Sequence, residues 1–393
     1  MPSRNPPVLE IFQAFLKLGI SSFGGPVAHL GYFRKEFVEN RKWLDGQAYA
    51  DLVSLCQFLP GPASSQVGMA IGLSRGGFAG ALLAWLGFTL PSAILLILFG
   101  LQFHHFQGSF GSWLHGLKLV SVAVVAQAIL AMGKPQFSDW RKTALAAASA
   151  GAAIGFPSLW MQIAIIASGG LSGLVLLDSH RMLPSEPIRN IPGRKTGLFL
   201  LSSFFFLLAA LPVIASLSGS YPLRLFDSFY RAGALVFGGG HVVLPLLQSQ
   251  VVPNGWVSNS EFLAGYGAAQ AVPGPLFTFA AFLGAVSSGT PSGWTGAAIA
   301  LVAIFLPSFL LVAGILPFWN DLRLIPPVQR IMKGINSAVL GLLIAAFWNP
   351  VCTSSIRSEF DVMLAAAAFL LLLKLPSWAV VLSTVLIAGI FKF

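Results

Sequence analysis

The sequence predicts an all-α polytopic membrane protein, an inverted-topology repeat of two homologous halves with broken or re-entrant helices in each. Three observations carry this. Charged residues make up only 9% of the 393 and hydrophobic ones 56%, with mean hydropathy +0.80, whereas soluble domains carry about 25% charged residues. Apolar runs near the ~20 residues that cross a bilayer recur along the whole chain. Two distant segments, "LCQFLPGPASSQ" (Leu55 to Gln66) and "AQAVPGPLFTF" (Ala269 to Phe279), interrupt that apolar background with one shared Gln-x-x-Pro-Gly-Pro core.

The expected spans are Gly77 to Phe103, Trp113 to Gly133, Leu159 to Leu177, Leu198 to Leu217, Trp294 to Leu316 and Ile335 to Phe347. The tail from Val362 to Phe393 is long enough for two close spans with a break at Pro376. Trp113, Trp160, Trp294 and Trp378 stand near span ends as interfacial anchors.

The halves align in order. "FLKLGISSFGG" (Phe15 to Gly25) matches "FYRAGALVFGG" (Phe229 to Gly239), placing Lys17 on Arg231 and Gly19 on Gly233. Trp43 then falls on Trp256, Gln57 on Gln270, Pro60-Gly61-Pro62 on Pro273-Gly274-Pro275, Gly80 on Gly296, Pro91-Ser92 on Pro307-Ser308 and Gly116 on Gly334. The predicted organisation is an N-terminal repeat (1–178), a basic linker (179–197), a topology-inverting helix with a short loop (198–225) and a C-terminal repeat (226–393).

Charge sets the relative orientation. Arg34, Lys35, Arg41, Lys42 and Arg75 follow the first FGG and PGP elements, while the matching stretches Pro245 to Ser260 and Ser287 to Gly293 hold no Lys or Arg. Short cytoplasmic loops are the basic ones, so the first set is expected inside and the second outside. Lys134, Arg141, Lys142, Arg181, Arg189, Arg194, Lys195, Arg323, Arg330 and Lys333 agree; Arg357 alone does not. The net charge of +10 is this positive-inside bias rather than a nucleic-acid surface.

A proline inside a helix costs ~3 kcal/mol, and unpaired backbone groups in hydrocarbon cost several more. Paired Gly/Pro-interrupted segments in an inverted repeat therefore mark a transporter's binding site. A half-helix starting after Pro60-Gly61-Pro62 offers free N–H groups and a positive dipole end, and Ser64, Ser65 and Gln66 add donors in its first turn. The second copy offers Leu276, Phe277 and Thr278 there, so the expected site is asymmetric. Gly24, Gly25, Gly238, Gly239 and Gly240 add close-approach backbone, with Ser21, Ser22 and His241 beside them. Such a nest suits a tetrahedral dianion. Lys17 and Arg231 are candidates for compensating its charge, and Gln57, Gly61, Gln270, Gly274 and Thr278 complete the expected substrate-binding set.

Tandem halves, each with an FGG and a Q-x-x-PGP element, resemble the long two-domain form of the chromate ion transporter family over nearly the whole chain. Phe23-Gly24-Gly25-Pro26 and Gln57-Phe58-Leu59-Pro60-Gly61-Pro62 carry the likeness, while the second copy has Gly240 for the motif proline and Val272 for its leucine. The resemblance implies a multi-pass protein of the bacterial cytoplasmic membrane that exports chromate, with sulfate as its structural mimic. A sulfate or related oxyanion carrier is the alternative within that class. A homodimer is a reasonable expectation for such a carrier.

Other chemistries find little support. Cys56 and Cys352 fit no disulfide or metal spacing, and His29, His115 and His241 share no ligand spacing, while His104-His105 is expected in a loop. No cofactor is implied, and no G-x-x-x-x-G-K-[ST] loop is present for direct ATP drive. Glu10 and Lys17 interrupt any signal-peptide core. "GLSRG" (Gly72 to Gly76) fits G-x-S-x-G but not the strand-turn-helix context of a nucleophile elbow, which leaves an intramembrane hydrolase using Ser74 as the rival. Lys118, opposite Asn336, is an intramembrane cation; Asp51 is expected to cap or lie at the interface; Glu36 and Glu39 among basic residues suggest a solvated face.

Overall fold

In the computed structural model, which describes residues 8–23, 25–109, 111–156, 158–178, 191–237, 243–322 and 325–391, the chain is helical with no strand among the described residues. The first half runs α1 (Val8–Ser21), α2 (Gly25–Phe33), a π-helical turn (Arg34–Asn40), α3 (Gly46–Phe58), α4 (Ala63–Ser109), α5 (Gly111–Gln136), α6 (Trp140–Gly155) and α7 (Leu159–Leu176). Next comes α8 (Arg194–Ser218). The second half runs α9 (Tyr221–Leu235), α10 (Val243–Val251), α11 (Asn259–Ala269), a 3₁₀ turn (Leu276–Thr278), α12 (Phe279–Val286), α13 (Gly293–Ile315), α14 (Trp319–Leu322), α15 (Pro326–Ala346), α16 (Thr353–Ser355), α17 (Glu359–Leu372) and α18 (Ser377–Phe391).

Among the described residues, five stretches are long and apolar enough to cross a membrane: Ala63–Phe103, Ser112–Lys134, Arg194–Ser218, Gly293–Phe318 and Pro326–Ser355, while the expected span at Leu159 to Leu177 forms a shorter apolar helix. Helix α8 presents Leu198, Phe199, Phe205, Phe206, Val213, Ile214 and Leu217 outward. An apolar helix so little covered by protein is one that faces lipid. The tail breaks at the expected place, between Leu372 and Ser377, where Pro376 cannot continue a helix.

Both PGP motifs interrupt helix. α3 stops at Phe58 and α4 starts at Ala63; α11 stops at Ala269 and helix resumes with the 3₁₀ turn at Leu276. A second interruption follows in each half. Helix α4 is kinked where Gly77 takes φ +60°, and α13 is entered through Gly293 at φ +58°. These two glycines match under the alignment that pairs Gly80 with Gly296.

The halves exchange partners. Helix α5 packs on α17 and α18 of the second half, while its counterpart α15 packs on α6 and α7 of the first. A Cβ on Gly116 would meet Val385 and Ala388, and one on Gly334 would meet Gly169 and Gly173. Small residues let these backbones touch. His115 Nε2 lies 2.8 Å from Asp361 Oδ1, both buried, tying the start of α5 to the start of α17. At the other end of α5, Ser337 Oγ donates to Gln136 Oε1 at 3.0 Å, so the end of α5 meets the middle of α15.

Three local expectations change. His104 and His105 lie within α4, which runs on to Ser109. The cap of α3 is Asp45, which accepts from Ala48 N at 2.8 Å, and Asp51 sits inside the helix. Glu36 is buried rather than solvated. Burial works against its charge, but hydrogen bonds from Arg41 and Asn40 and the nearby Lys17 and Arg41 charges outweigh that and hold its carboxyl below the usual range. Arg41 also donates to Glu10 Oε1 at 2.7 Å, so one guanidinium clamps α1 to the π-helical turn.

Candidate functional site

The two breaks are bonded to each other's half. Gly61 N–H donates to Val236 O at 2.7 Å, and Gly274 N–H donates to Ser22 O at 2.9 Å. Gly61 matches Gly274 and Ser22 matches Val236 in the repeat, so these are one bond made twice. Both glycines take positive φ, +123° and +93°, which side chains rarely adopt. Space forbids a side chain as well. A Cβ on Gly61 would stand 2.5 Å from Gln66 Nε2 and Ser308 Oγ, and one on Gly274 would stand 2.9 Å from Ser92 Oγ. Ser92 and Ser308 are again a matched pair, each guarding the opposite break.

Around this crossing the first half buries polar atoms that no described residue satisfies. Ser64, Ser65 and Gln66 are all buried in the first turn of α4. Gln66 folds back over the break, its Nε2 donating to Pro60 O at 2.6 Å and lying 3.3 Å from Ser308 Oγ, while its Oε1 has no partner. Ser65 Oγ, Ser22 Oγ and Thr89 Oγ1 are likewise buried without partners. So is His29 Nε2, on a ring whose Nδ1 lies 3.3 Å from Ser64 Oγ. Thr89 stands between Phe88, packed edge-on against His29, and Ser92 at the second break. Native proteins leave few such atoms unpaired, and each calls for an explanation.

The second half contributes less. Thr278 is fully buried, but its hydroxyl is already spent on Pro275 O at 2.7 Å, and Leu276 and Phe277 beside it are apolar. Gln270 does offer a buried, unpartnered Nε2. It lines a cavity of about 20 Å³ with Gly25, Pro26 and Gly274, room for roughly one water. That is too little room for a tetrahedral oxyanion.

Other expected residues lie apart from the cluster. Gln57 is exposed. Ser21 donates to Lys17 O within its own helix. The Lys17 side chain is 70% exposed, with Nζ 3.9 Å from Glu36 Oε2. Arg231 is paired with buried Asp227 one turn earlier, at 2.5 and 3.0 Å. Each candidate cation thus already faces a carboxylate. Gly24, Gly238, Gly239, Gly240 and His241 lie outside the described residues. No group of residues able to hold a metal occurs among the described ones. Ser74 donates to Ile71 O at 2.8 Å in the last helical turn before the kink at Gly76 and Gly77, with helix on both sides rather than the strand-turn-helix of a nucleophile elbow.

Sequence reasoning did not assign His29, Thr89, Asp227, Ser92 or Ser308 to the site. The two serines were visible as repeat landmarks, and Asp227 lies at the i−4 spacing that pairs charges on a helix. For His29 the available signal was a lone histidine one helical turn past the FGG element.

The family described as "Chromate transporter" matches residues 9–174 and 223–391. The chain is 30% identical over 343 residues to the chromate transport protein of Pseudomonas aeruginosa, covering 85% of this chain and 79% of that protein. It is 29% identical to the probable chromate transport protein of Synechococcus elongatus, covering 86% and 83%. With the chromate transport protein of Cupriavidus metallidurans it shares 25% over 93% and 88%. No solved structure matches the chain.

Substitutions at the two breaks should separate backbone from side-chain roles. Gly61→Ala and Gly274→Ala should each abolish anion transport, since both force φ and collide with the opposite serine. Ser65→Ala should weaken anion affinity by up to about tenfold, one neutral hydrogen bond's worth, and Thr278→Val should cost less. Equal losses in the last two would show that the half-sites contribute alike.

For Arg231 the pairing alters the design. Arg231→Gln alone strands a buried carboxylate and should destabilise the fold by ~3–5 kcal/mol. The double variant Asp227→Asn/Arg231→Gln removes both charges and should restore thermal stability in detergent. If it also restores chromate affinity, Arg231 does not compensate the anion.

Proposed function

The chain belongs to the chromate transporter family, and on that premise we propose that it exports chromate across the bacterial cytoplasmic membrane as a secondary transporter. The anion is held at the crossed breaks, and the halves alternate access around it. One observation carries the placement: buried polar atoms without partners gather where the two breaks meet. Ser22, Ser64, Ser65, Gln66 and Gln270 provide the side-chain contacts, with the Gly25, Gly61 and Gly274 backbones between them. Thr278 belongs to the surrounding wall, and Lys17 and Arg231 set the field at its edge.

The relation between halves is an inverted repeat, with 1–178 and 226–393 as the copies, 179–197 as a cytoplasmic linker and 198–225 as the inverting segment. The contacts of α5 support this. Its end meets the middle of α15, at Ser337, and its beginning meets the α17 that follows α15. The second half thus advances along α5 from its end towards its start, the antiparallel course that a two-fold axis in the membrane plane calls for. The exposed apolar face of α8 suits the extra crossing that inverts the second copy.

Uptake of labelled chromate into inside-out vesicles tests the activity directly. Chromate should accumulate, sulfate and molybdate should compete, and phosphate should compete less. Stronger competition by sulfate than by chromate itself would make sulfate the natural anion. No accumulation above empty vesicles would overturn the export reading.

Orientation has its own test, in a Cys352→Ser background. Ser288 Oγ donates to Gly255 O at 3.0 Å, so positions 255 and 288 share one side. An impermeant thiol reagent on intact cells should modify Gly255→Cys and Ser288→Cys and spare Lys42→Cys and Arg194→Cys. Labelling at 42 without 255 would sink the inverted repeat.

A further inference from the structure

We propose that His29 takes up a proton when the oxyanion binds, so that anion and proton occupy the site together. The proposal rests on the anion site described above and names what sets its charge balance. The His29 ring is 1% exposed. Its Nδ1 lies 3.3 Å from Ser64 Oγ, it reaches the Ser22 main chain, and its face is closed by Phe88 at 5.2 Å between centroids. Nε2 has no hydrogen-bond partner among the described residues. The ring thus bridges the FGG element and the first turn after the break, with one nitrogen left for a ligand.

The surroundings decide its charge. The groups facing the ring, Ser64 and Phe88 from α4 and Ser22 from the FGG element, are uncharged, and α2 itself carries no other ionisable group than Tyr32, which is exposed. Lys17 and Arg231 are already matched by Glu36 and Asp227. Among the described residues of the cluster, His29 is therefore the side chain that can gain positive charge near neutral pH. With the site empty, a buried imidazolium lacking a carboxylate is disfavoured, and the ring is neutral.

A bound dianion reverses this. Each negative charge about 4 Å from the ring favours protonation by roughly a thousandfold at an effective dielectric of ~20. Two charges act together, and they outweigh the desolvation of one ring. The proton comes from water and no bond within the anion changes. Nε2–H then donates to an anion oxygen, Nδ1–H donates to Ser64 Oγ, and the charge of the occupied site falls from two negative to one. Such a site prefers tetrahedral oxyanions that carry two charges over singly charged ones, because the second charge strengthens the proton's hold.

Calorimetric titration of the purified full-length protein with sulfate, in two buffers of different ionisation enthalpy, reads the proton directly. Sulfate carries no proton of its own between about pH 6 and about pH 8, and chromate at the alkaline end serves as a second probe. Wild type should absorb close to one proton per anion, and its affinity should fall towards tenfold per pH unit as pH rises. His29→Gln keeps an amide donor, so it should still bind, more weakly, with no proton uptake and a flat pH profile. Proton-free binding by wild type, or uptake that survives in His29→Gln, would overturn the proposal. Ser65→Ala separates the two levels. If it binds both anions as wild type does, the site itself is misplaced; if it binds weakly while wild type takes up no proton, only the role of His29 fails.

Discussion

A backbone broken inside an apolar protein has N–H groups that neither water nor lipid can satisfy, and the rest of this architecture follows from how they are met. The N–H of Gly61 finds Val236 O and the N–H of Gly274 finds Ser22 O. Each break is completed by the FGG element of the other half. An unpaired buried backbone group costs several kcal/mol in hydrocarbon, so neither half closes its own break alone. The exchange of α5 and α15 between the halves repeats the same dependence at the level of whole helices. Both features hold the two copies face to face, with the two interruptions at their common centre.

What the sequence made legible is what changes backbone geometry. Pro60-Gly61-Pro62 and Pro273-Gly274-Pro275 leave an unmistakable trace because proline removes a donor and glycine admits positive φ. The break at Pro376 was legible for the same reason, and most of the spans from the length of their apolar runs. Partnerships across the fold were not. Glu36 sits among basic residues and reads as solvated, yet tertiary packing buries it under Arg41. Lys17 meets that same Glu36 from a different element, whereas the Asp227–Arg231 pair lies within one helix and could be read from spacing.

The site shows the same division. Ser64, Ser65 and Gln66 stand out in sequence as a polar run after a break, and the structure buries all three. Which of their atoms remain unpaired depends on neighbours from other elements. Gln66 spends its amide on Pro60 O and on Ser308, and keeps only Oε1. Thr278 spends its hydroxyl within its own 3₁₀ turn, a local bond that a helical reading of that segment does not foresee. His29 gains its importance from Ser64 and Phe88, which lie beyond any window around it.

These facts bear on how a two-fold scaffold carries an anion. The framework bonds are symmetric: matched glycines, matched carbonyls and matched serines. The free donors are not: among the described residues around the breaks, Ser22, Ser65, Thr89 and His29 come from the first half and Gln270 from the second. If the halves rock past one another, the polar wall stays with the first half in both end states. The second half then presents Leu276 and Phe277, which offer no hydrogen bonds to break as they slide. A dianion held by one wall and released by movement of an apolar partner need not exchange its donors midway. In the proposed cycle, symmetry in the backbone would supply two states of similar energy, and asymmetry in the side chains would keep the anion bound while the protein passes between them.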